Sequence, residues 1–146
     1  MLIEQNEIPM VDMDFMNETH KEDVEIINNI FSEILKYETE PNNTEKIDEL
    51  FEHWIAHTVV HFETEEKKMQ ALNFPPYYAH KGEHDRALQE MRNVFSSWQQ
   101  QRNIQALKIY FIETVPAWFN MHVSTMDTVT ATFFASGQSP CSAGVC

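Results

Sequence analysis

Glycine is scarce in this chain, three in 146 residues, and cysteine is confined to Cys141 and Cys146 near the C-terminus. So few glycines, beside an apolar content of 42%, suit a helical protein with few turns. Basic residues are also few: ten against 23 acidic ones, a formal charge of −13. That balance argues against nucleic acid and anionic membrane as partners, because both are held by basic patches. No apolar run approaches membrane-spanning length. The N-terminus Met1-Leu-Ile-Glu lacks the basic-then-apolar order of a signal peptide, so a cytoplasmic location is expected. The length corresponds to one domain with a core that needs no disulfide. Ser139-Pro-Cys-Ser-Ala-Gly-Val-Cys has the small-residue composition of a free, flexible tail; the other reading is a redox-active or metal-handling thiol pair.

What is present is helical periodicity. Residues 1–16 read as an irregular arm whose apolar side chains could fold over the body of the domain. A first helix is expected near Asn17 to Thr19, where Thr19 and Glu22 have capping-box spacing, with a stripe of Val24, Ile27, Phe31 and Ile34. One turn before Val24 lies His20, on the core side. Glu38-Thr-Glu-Pro-Asn-Asn43 breaks the pattern, and Thr44 is a plausible cap for a second helix with the stripe Ile47, Leu50, Trp54, His57, His61, Glu65. Asn73-Phe-Pro-Pro76 stops it. A third helix from Tyr77 carries His80, His84, Leu88, Met91, Phe95 and Trp98 on one face. After Gln101-Arg-Asn103 a fourth offers Ile104, Leu107, Phe111, Trp118, His122 and Val129, with a kink expected at Pro116. The fold class is all-α: an up-down-up-down four-helix bundle over 17–136, with the N-terminal arm 1–16 and a flexible tail 137–146.

Antiparallel helices allow a test of whether the inward polar groups share a height. His20, His61, His84 and His122 each lie about 17 or 18 residues from the loop at the far end of the bundle, roughly 25–27 Å at about 1.5 Å per residue. Four helices therefore deliver imidazoles to one level. A lone histidine on an apolar face is usually a satisfied core residue, but a common height on four helices points to a metal.

The set at that level is His20, His61, Glu65, His80 and His84, with His122 and Asp127 from the fourth helix. His-x-x-x-His and His-x-x-x-Glu are helical ligand spacings. His122 and Asp127, five residues apart, fall about 140° apart on an ideal helix, so aiming both inward needs local unwinding or a π-type turn. Five imidazoles and two carboxylates exceed the needs of one tetrahedral zinc, so two metals are the economical reading. If the carboxylates bridge, together with an oxo or hydroxo group, one octahedral position stays open. Such a site suits redox-active iron and a small ligand such as dioxygen. His57, one turn from His61, is expected to support or pack beside the site and His53 to face solvent or the helix flank. Glu63 and Glu66 point away from His61 around the helix, so Glu65 alone of the three is placed to share its metal.

The order His20, His61-Phe-Glu-Thr-Glu65, His80-Lys-Gly-Glu-His84, Trp118-Phe-Asn-Met-His122-Val-Ser-Thr-Met-Asp127 resembles the hemerythrin family, in particular its single-domain bacterial members, over about residues 8–135. The resemblance implies a four-helix bundle around a non-haem di-iron centre that binds dioxygen reversibly. It implies that His80, His84 and His122 hold one iron and His20 and His61 the other, with Glu65 and Asp127 bridging. The open position would lie on the two-histidine iron, where dioxygen binds and is reduced to bound hydroperoxide. Three features depart from the family's pattern: the entry Phe15-Met-Asn-Glu-Thr-His20, Pro116 before the tryptophan, and the cysteine tail. The expected function is oxygen binding for storage, delivery or scavenging, not enzymatic turnover. The alternatives are a di-iron oxidase or peroxidase, and a sensor of oxygen, nitric oxide or iron acting through a protein partner.

Overall fold

A computed structural model describes residues 1–136; Cys141 and Cys146, and the expectations placed on them, lie outside the described residues. Helix α1 spans Asp14–Thr39, α2 Thr44–Ala71 and α3 Tyr77–Gln101. The fourth helix runs continuously over 104–136. Neighbours α1 and α2, α2 and α3, and the pairs that α1 and α3 each make with the start of the fourth helix close an antiparallel four-helix bundle. No strand occurs among the described residues, and none of their helices is long and apolar enough to cross a membrane.

Helix α1 begins at Asp14, ahead of the expected start, and the Thr19–Glu22 capping box does not form. The Thr19 hydroxyl instead donates to the Phe15 carbonyl one turn back, which it can do only inside a helix. The earlier start is stabilised from the arm. Asn17 is buried, its side-chain oxygen accepting from the Val11 N–H at 2.9 Å and its amide donating to the Val11 carbonyl at 2.8 Å. Asn28 holds Ile3 in the same two-handed way, at 2.9 and 2.8 Å. Ile3, Ile8 and Val11 are thereby buried against the bundle. Across its other edge the ammonium of Lys68 lies over both Phe15 and Phe134, 5.3 and 5.4 Å from the ring centroids.

The core stripe of α1 is Val24, Ile27, Ile30 and Ile34, all essentially buried. Phe31, expected on that stripe, is only partly buried because Ile30 takes the inward position. The end of the bundle away from the histidines is packed with aromatics: Phe51 stacks on Phe95 at 4.8 Å and meets Trp54 and Phe111 edge-on at 5.3 and 5.9 Å. At the α3 C-terminus Arg102 adopts a left-handed conformation (φ 48°). Its guanidinium forks onto Asp48 at 2.7 and 3.0 Å, and Trp98 Nε1 donates to the same carboxylate at 2.9 Å.

The fourth helix contains two π-turns, Tyr110–Thr114 and Val123–Asp127. The first lies immediately before Pro116, which lacks an N–H and crowds the carbonyl four residues back. The wider turn accommodates both, and a π-turn stands next to the proline where a kink was expected. The second carries local side-chain support: Thr128 Oγ1 donates to the Val123 carbonyl five residues earlier at 2.8 Å. The register after it differs from that of a regular helix, so Val123 is buried, whereas Val129, expected in the core, is 57% exposed.

Candidate metal centre

Helix α1 contributes His20 alone, and each of the other three helices contributes two residues from consecutive turns. His61 and Glu65 on α2 and His80 and His84 on α3 are four apart and share a face. On the fourth helix the π-turn does the same for residues five apart, since an i→i+5 turn brings residue i+5 to where i+4 stands in an α-helix. His122 and Asp127 are both buried and both face the bundle axis. All seven residues expected from the sequence, His20, His61, Glu65, His80, His84, His122 and Asp127, come together there, each less than a tenth exposed.

The imidazole Nε2 atoms converge on two carboxylates. His20 Nε2 lies 2.9 Å from Asp127 Oδ2, and His61 Nε2 2.7 Å from Glu65 Oε2. His80 and His122 approach Asp127 Oδ1 at 3.1 and 3.2 Å. His80 and His84 approach Glu65 Oε1 at 3.6 and 3.4 Å. These donors form two overlapping groups, Glu65, His80, His84, His122 and Asp127 in one and His20, His61, Glu65 and Asp127 in the other. Within each group the ligand atoms lie within 4.8 Å of one another. The two carboxylates belong to both groups.

Without a cation this arrangement is electrostatically incomplete. Nε2 of His80 and Nε2 of His122 face each other at 3.2 Å, so at most one of these lone pairs is relieved by a proton lying between them. His84 Nε2, Glu65 Oε1 and Asp127 Oδ1 are buried without a hydrogen-bond partner among the described residues, at a cost of about 1–3 kcal/mol for each such group. Burial pushes the Asp127 carboxyl upward, yet the surrounding His122, His20 and His80 hold it well below the usual carboxylate range. Burial and Asp127 likewise push Glu65 up, and His61 and His84 outweigh them. Burial presses the His84 imidazole down toward its neutral, ligand-competent form. Buried nitrogens and oxygens converging in this way fit metal cations, and the donor set suits transition metals of intermediate softness.

Around the convergent atoms lies a layer that the sequence reading did not assemble. The outward Nδ1 of His84 is 2.8 Å from Glu66 Oε2, and that of His80 is 2.7 Å from Thr130 Oγ1. Nδ1 of His61 is 2.9 Å from Asp23 Oδ2. Glu66 does point away from the shared metal position, as the helical angle requires, but it reaches the far side of a ring on α3. Spacing puts Asp23, an acid three residues after His20, on the buried side of α1 but does not say which ring it meets. His57 belongs to neither ligand group and pairs with Asp23 and Glu22, while His53 is exposed. Burial opposes protonation of His61, but Asp23 and Glu65 hold its imidazole well above the ordinary histidine value. Asp23 raises that of His57 more than burial lowers it. Aromatic rings fix the imidazole planes: Phe62 stacks on His84 at 3.8 Å, and Trp118 stacks on His122 at 4.5 Å while donating to Glu83.

A cavity of about 170 Å³ reaches the centre from one side. His20 and His61 line it with His122 and Asp127, whereas His80, His84 and Glu65 do not. Its walls include Ile27, Trp54, Met91, Val115 and Phe119, and the exposed Arg86 and Glu90 lie on its lining toward solvent.

The family model described as "Hemerythrin HHE cation binding domain" matches residues 11–133. A protein named bacteriohemerythrin from Aquifex aeolicus (strain VF5) is 29% identical over 131 residues, 90% of this chain and 96% of that one. Another of that name, from Ralstonia nicotianae (strain ATCC BAA-1114 / GMI1000), is 38% identical over 82 residues, 56% of this chain and 58% of that one. No solved structure gives a significant match. Because the family match spans most of the bundle and takes in all four helices that converge on the buried cluster, the chain belongs to the hemerythrin family.

Proposed function

We propose that this protein binds dioxygen reversibly at a di-iron centre. In this reading His80, His84 and His122 would hold one iron and His20 and His61 the other, with Glu65 and Asp127 shared between them. The observation that carries the reading is the pair of overlapping donor groups, which share two carboxylates and differ in their number of imidazoles. With three imidazoles in one group and two in the other, a metal on the His20–His61 side would have fewer protein ligands and more room for a small exogenous one. The cavity lies against those same two residues.

Iron, when bound, would supply the electrons for dioxygen binding, and the chain's own residues set the conditions. Phe62, Trp118 and Phe119 shield the imidazoles from bulk water, and the apolar walls admit a small uncharged ligand more readily than an ion. The nitrogen-rich donor set favours binding over turnover. Carboxylate-rich bundles that carry two Glu-x-x-His pairs stabilise more oxidised iron, and here nitrogens outnumber carboxylates. A role in oxygen storage, delivery or scavenging is consistent with this set. The test is metal analysis with optical spectroscopy. About two irons per chain, with a charge-transfer band that appears on admitting oxygen and disappears on its removal, is expected; one tightly held zinc per chain refutes the reading.

One observation favours oxidase or peroxidase activity as the second reading. The cavity is of the size of an engineered apolar cavity, about 150 Å³, that accepts benzene, and so exceeds what dioxygen needs. Sustained oxygen consumption with a small organic reductant, well above the autoxidation rate, would establish this alternative.

A further inference from the structure

Among the described residues, two of the five clustered imidazoles, those of His61 and His84, have a carboxylate against the outward nitrogen, and of those two carboxylates only the one beside His61 lines the cavity. Asp23 stands between two rings, with Oδ2 2.9 Å from His61 Nδ1 and Oδ1 2.8 Å from His57 Nδ1. The far nitrogen of His57 is 2.9 Å from the Glu22 carboxylate, which is well exposed. Asp23 is itself 5% exposed and lines the cavity beside His20 and His61. The His57 Nδ1, Asp23 Oδ1 and His61 Nδ1 contacts have the distance of hydrogen bonds without their alignment. Asp23 therefore acts on His61 chiefly as a close negative charge. His84 differs: its partner Glu66 lies beside Lys81, at 3.9 Å, and neither touches the cavity. Among the described residues, His20 and His122 have no side-chain partner at Nδ1.

We propose that Asp23 is a positioning residue whose charge, acting through His61 and moderated by His57, sets how readily the two-histidine metal is oxidised. The inference rests on the reading of the site as a di-iron centre. A negative charge at the outer nitrogen strengthens an imidazole as a ligand and favours the higher metal charge. His57 lies across the same carboxylate and draws part of that charge outward, toward Glu22 and solvent. Removing Asp23 and removing His57 should then act in opposite directions, which a merely structural role would not produce.

The experiment is anaerobic redox titration of the iron-loaded full-length protein, so that no dioxygen adduct is needed. Asp23→Asn, which keeps the shape and removes the charge, is expected to keep about two irons per chain, shift the midpoint potential upward and slow autoxidation several-fold. His57→Gln, which leaves Asp23 less compensated, is expected to shift the potential downward and speed autoxidation. Asp23→Glu should return the potential toward that of the unsubstituted protein, and His53→Gln should leave it unchanged. Shifts of one sign in Asp23→Asn and His57→Gln, or no shift in either, overturn the proposal. Should Asp23→Asn fail to hold iron, the sign in His57→Gln decides alone: downward supports the proposal, and upward or no shift overturns it. Unsubstituted protein with two irons but no reversible oxygen adduct would overturn the oxygen-binding reading and leave this one standing; protein that holds no iron would overturn both.

Discussion

Deleting one residue from the second π-turn should be tolerated, and adding one should not. Thr125 is exposed, and its one side-chain bond is to the Met121 carbonyl, at 2.6 Å. Within Val123–Asp127 the chain already carries one residue more than an α-turn needs. Removing Thr125 converts the turn to a regular one and leaves His122 and Asp127 four positions apart. That spacing keeps both on one face, separated by about 6 Å along the axis. Everything downstream keeps its facing, including Thr130, which touches His80, and the buried Phe134. The Thr128 hydroxyl, which bonds five residues back, would then bond four back, as such hydroxyls commonly do. The cost is one exposed hydrogen bond, about 0.5–1.5 kcal/mol. For a domain of this length that lowers the melting temperature of the metal-free protein by about 1–6 °C. Inserting alanine after Thr125 instead rotates Asp127 by about 100°. Its carboxylate leaves His20, His80 and His122, with a loss of about 3–5 kcal/mol from the unpaired buried charge. Iron content per chain and metal-free thermal melts measure both changes. The deletion is expected to retain about two irons and the insertion to lose them. Equal loss of iron in both would refute the reasoning, because it would mean that the site depends on the π geometry itself and not on the facing it provides.

Three further outcomes are expected. His61→Ala should lower the iron content by about one per chain or more, while His53→Ala leaves it unchanged, as read by metal analysis. Thr130→Val and Glu66→Gln, which remove the partners of the outward nitrogens of His80 and His84, should each weaken iron binding by about 10–100-fold in competition with a chelator. In the metal-free protein the depressed Asp127 and Glu65 carboxyls contribute stability that is present above their unfolded values of about 4 and lost as pH falls through the folded values. Its denaturation midpoint should therefore fall steeply in that acid range, and a flat midpoint there would contradict the geometry.

Much of the fold was legible because helix periodicity and breakers agree. Asn73-Phe-Pro-Pro76 and Arg102-Asn103 stop helices where proline geometry and a left-handed residue require it. The arm's attachment was less legible. Its apolar residues announce burial, but nothing in the pattern says that Asn17 and Asn28 will each grip a backbone peptide, and that grip is what extends α1 back to Asp14. Thr19 offered two compatible local bonds, one as a cap and one as a back-bond inside a helix. Packing of the arm, which is not local, selected the second.

The grouping of the candidate site residues was legible for a different reason. Four histidines, each on an apolar stripe and each at one height, constrain one another across the bundle, and no single helix carries that information. The weak point was the five-residue step from His122 to Asp127, where ideal geometry gives the wrong face. The apparent misfit was itself informative: two inward donors at a spacing that an ideal helix does not bring together need local unwinding or a π-turn, and Val123–Asp127 is a π-turn. The partners of the outward nitrogens had no such constraint. Asp23, Glu66 and Thr130 each reach a ring on another helix, so spacing along their own helices does not reveal them. Convergence on a common centre can be read from periodicity because every participant must face the axis; support from behind comes from whichever neighbouring side chain is in reach, and only the packed helices specify which that is.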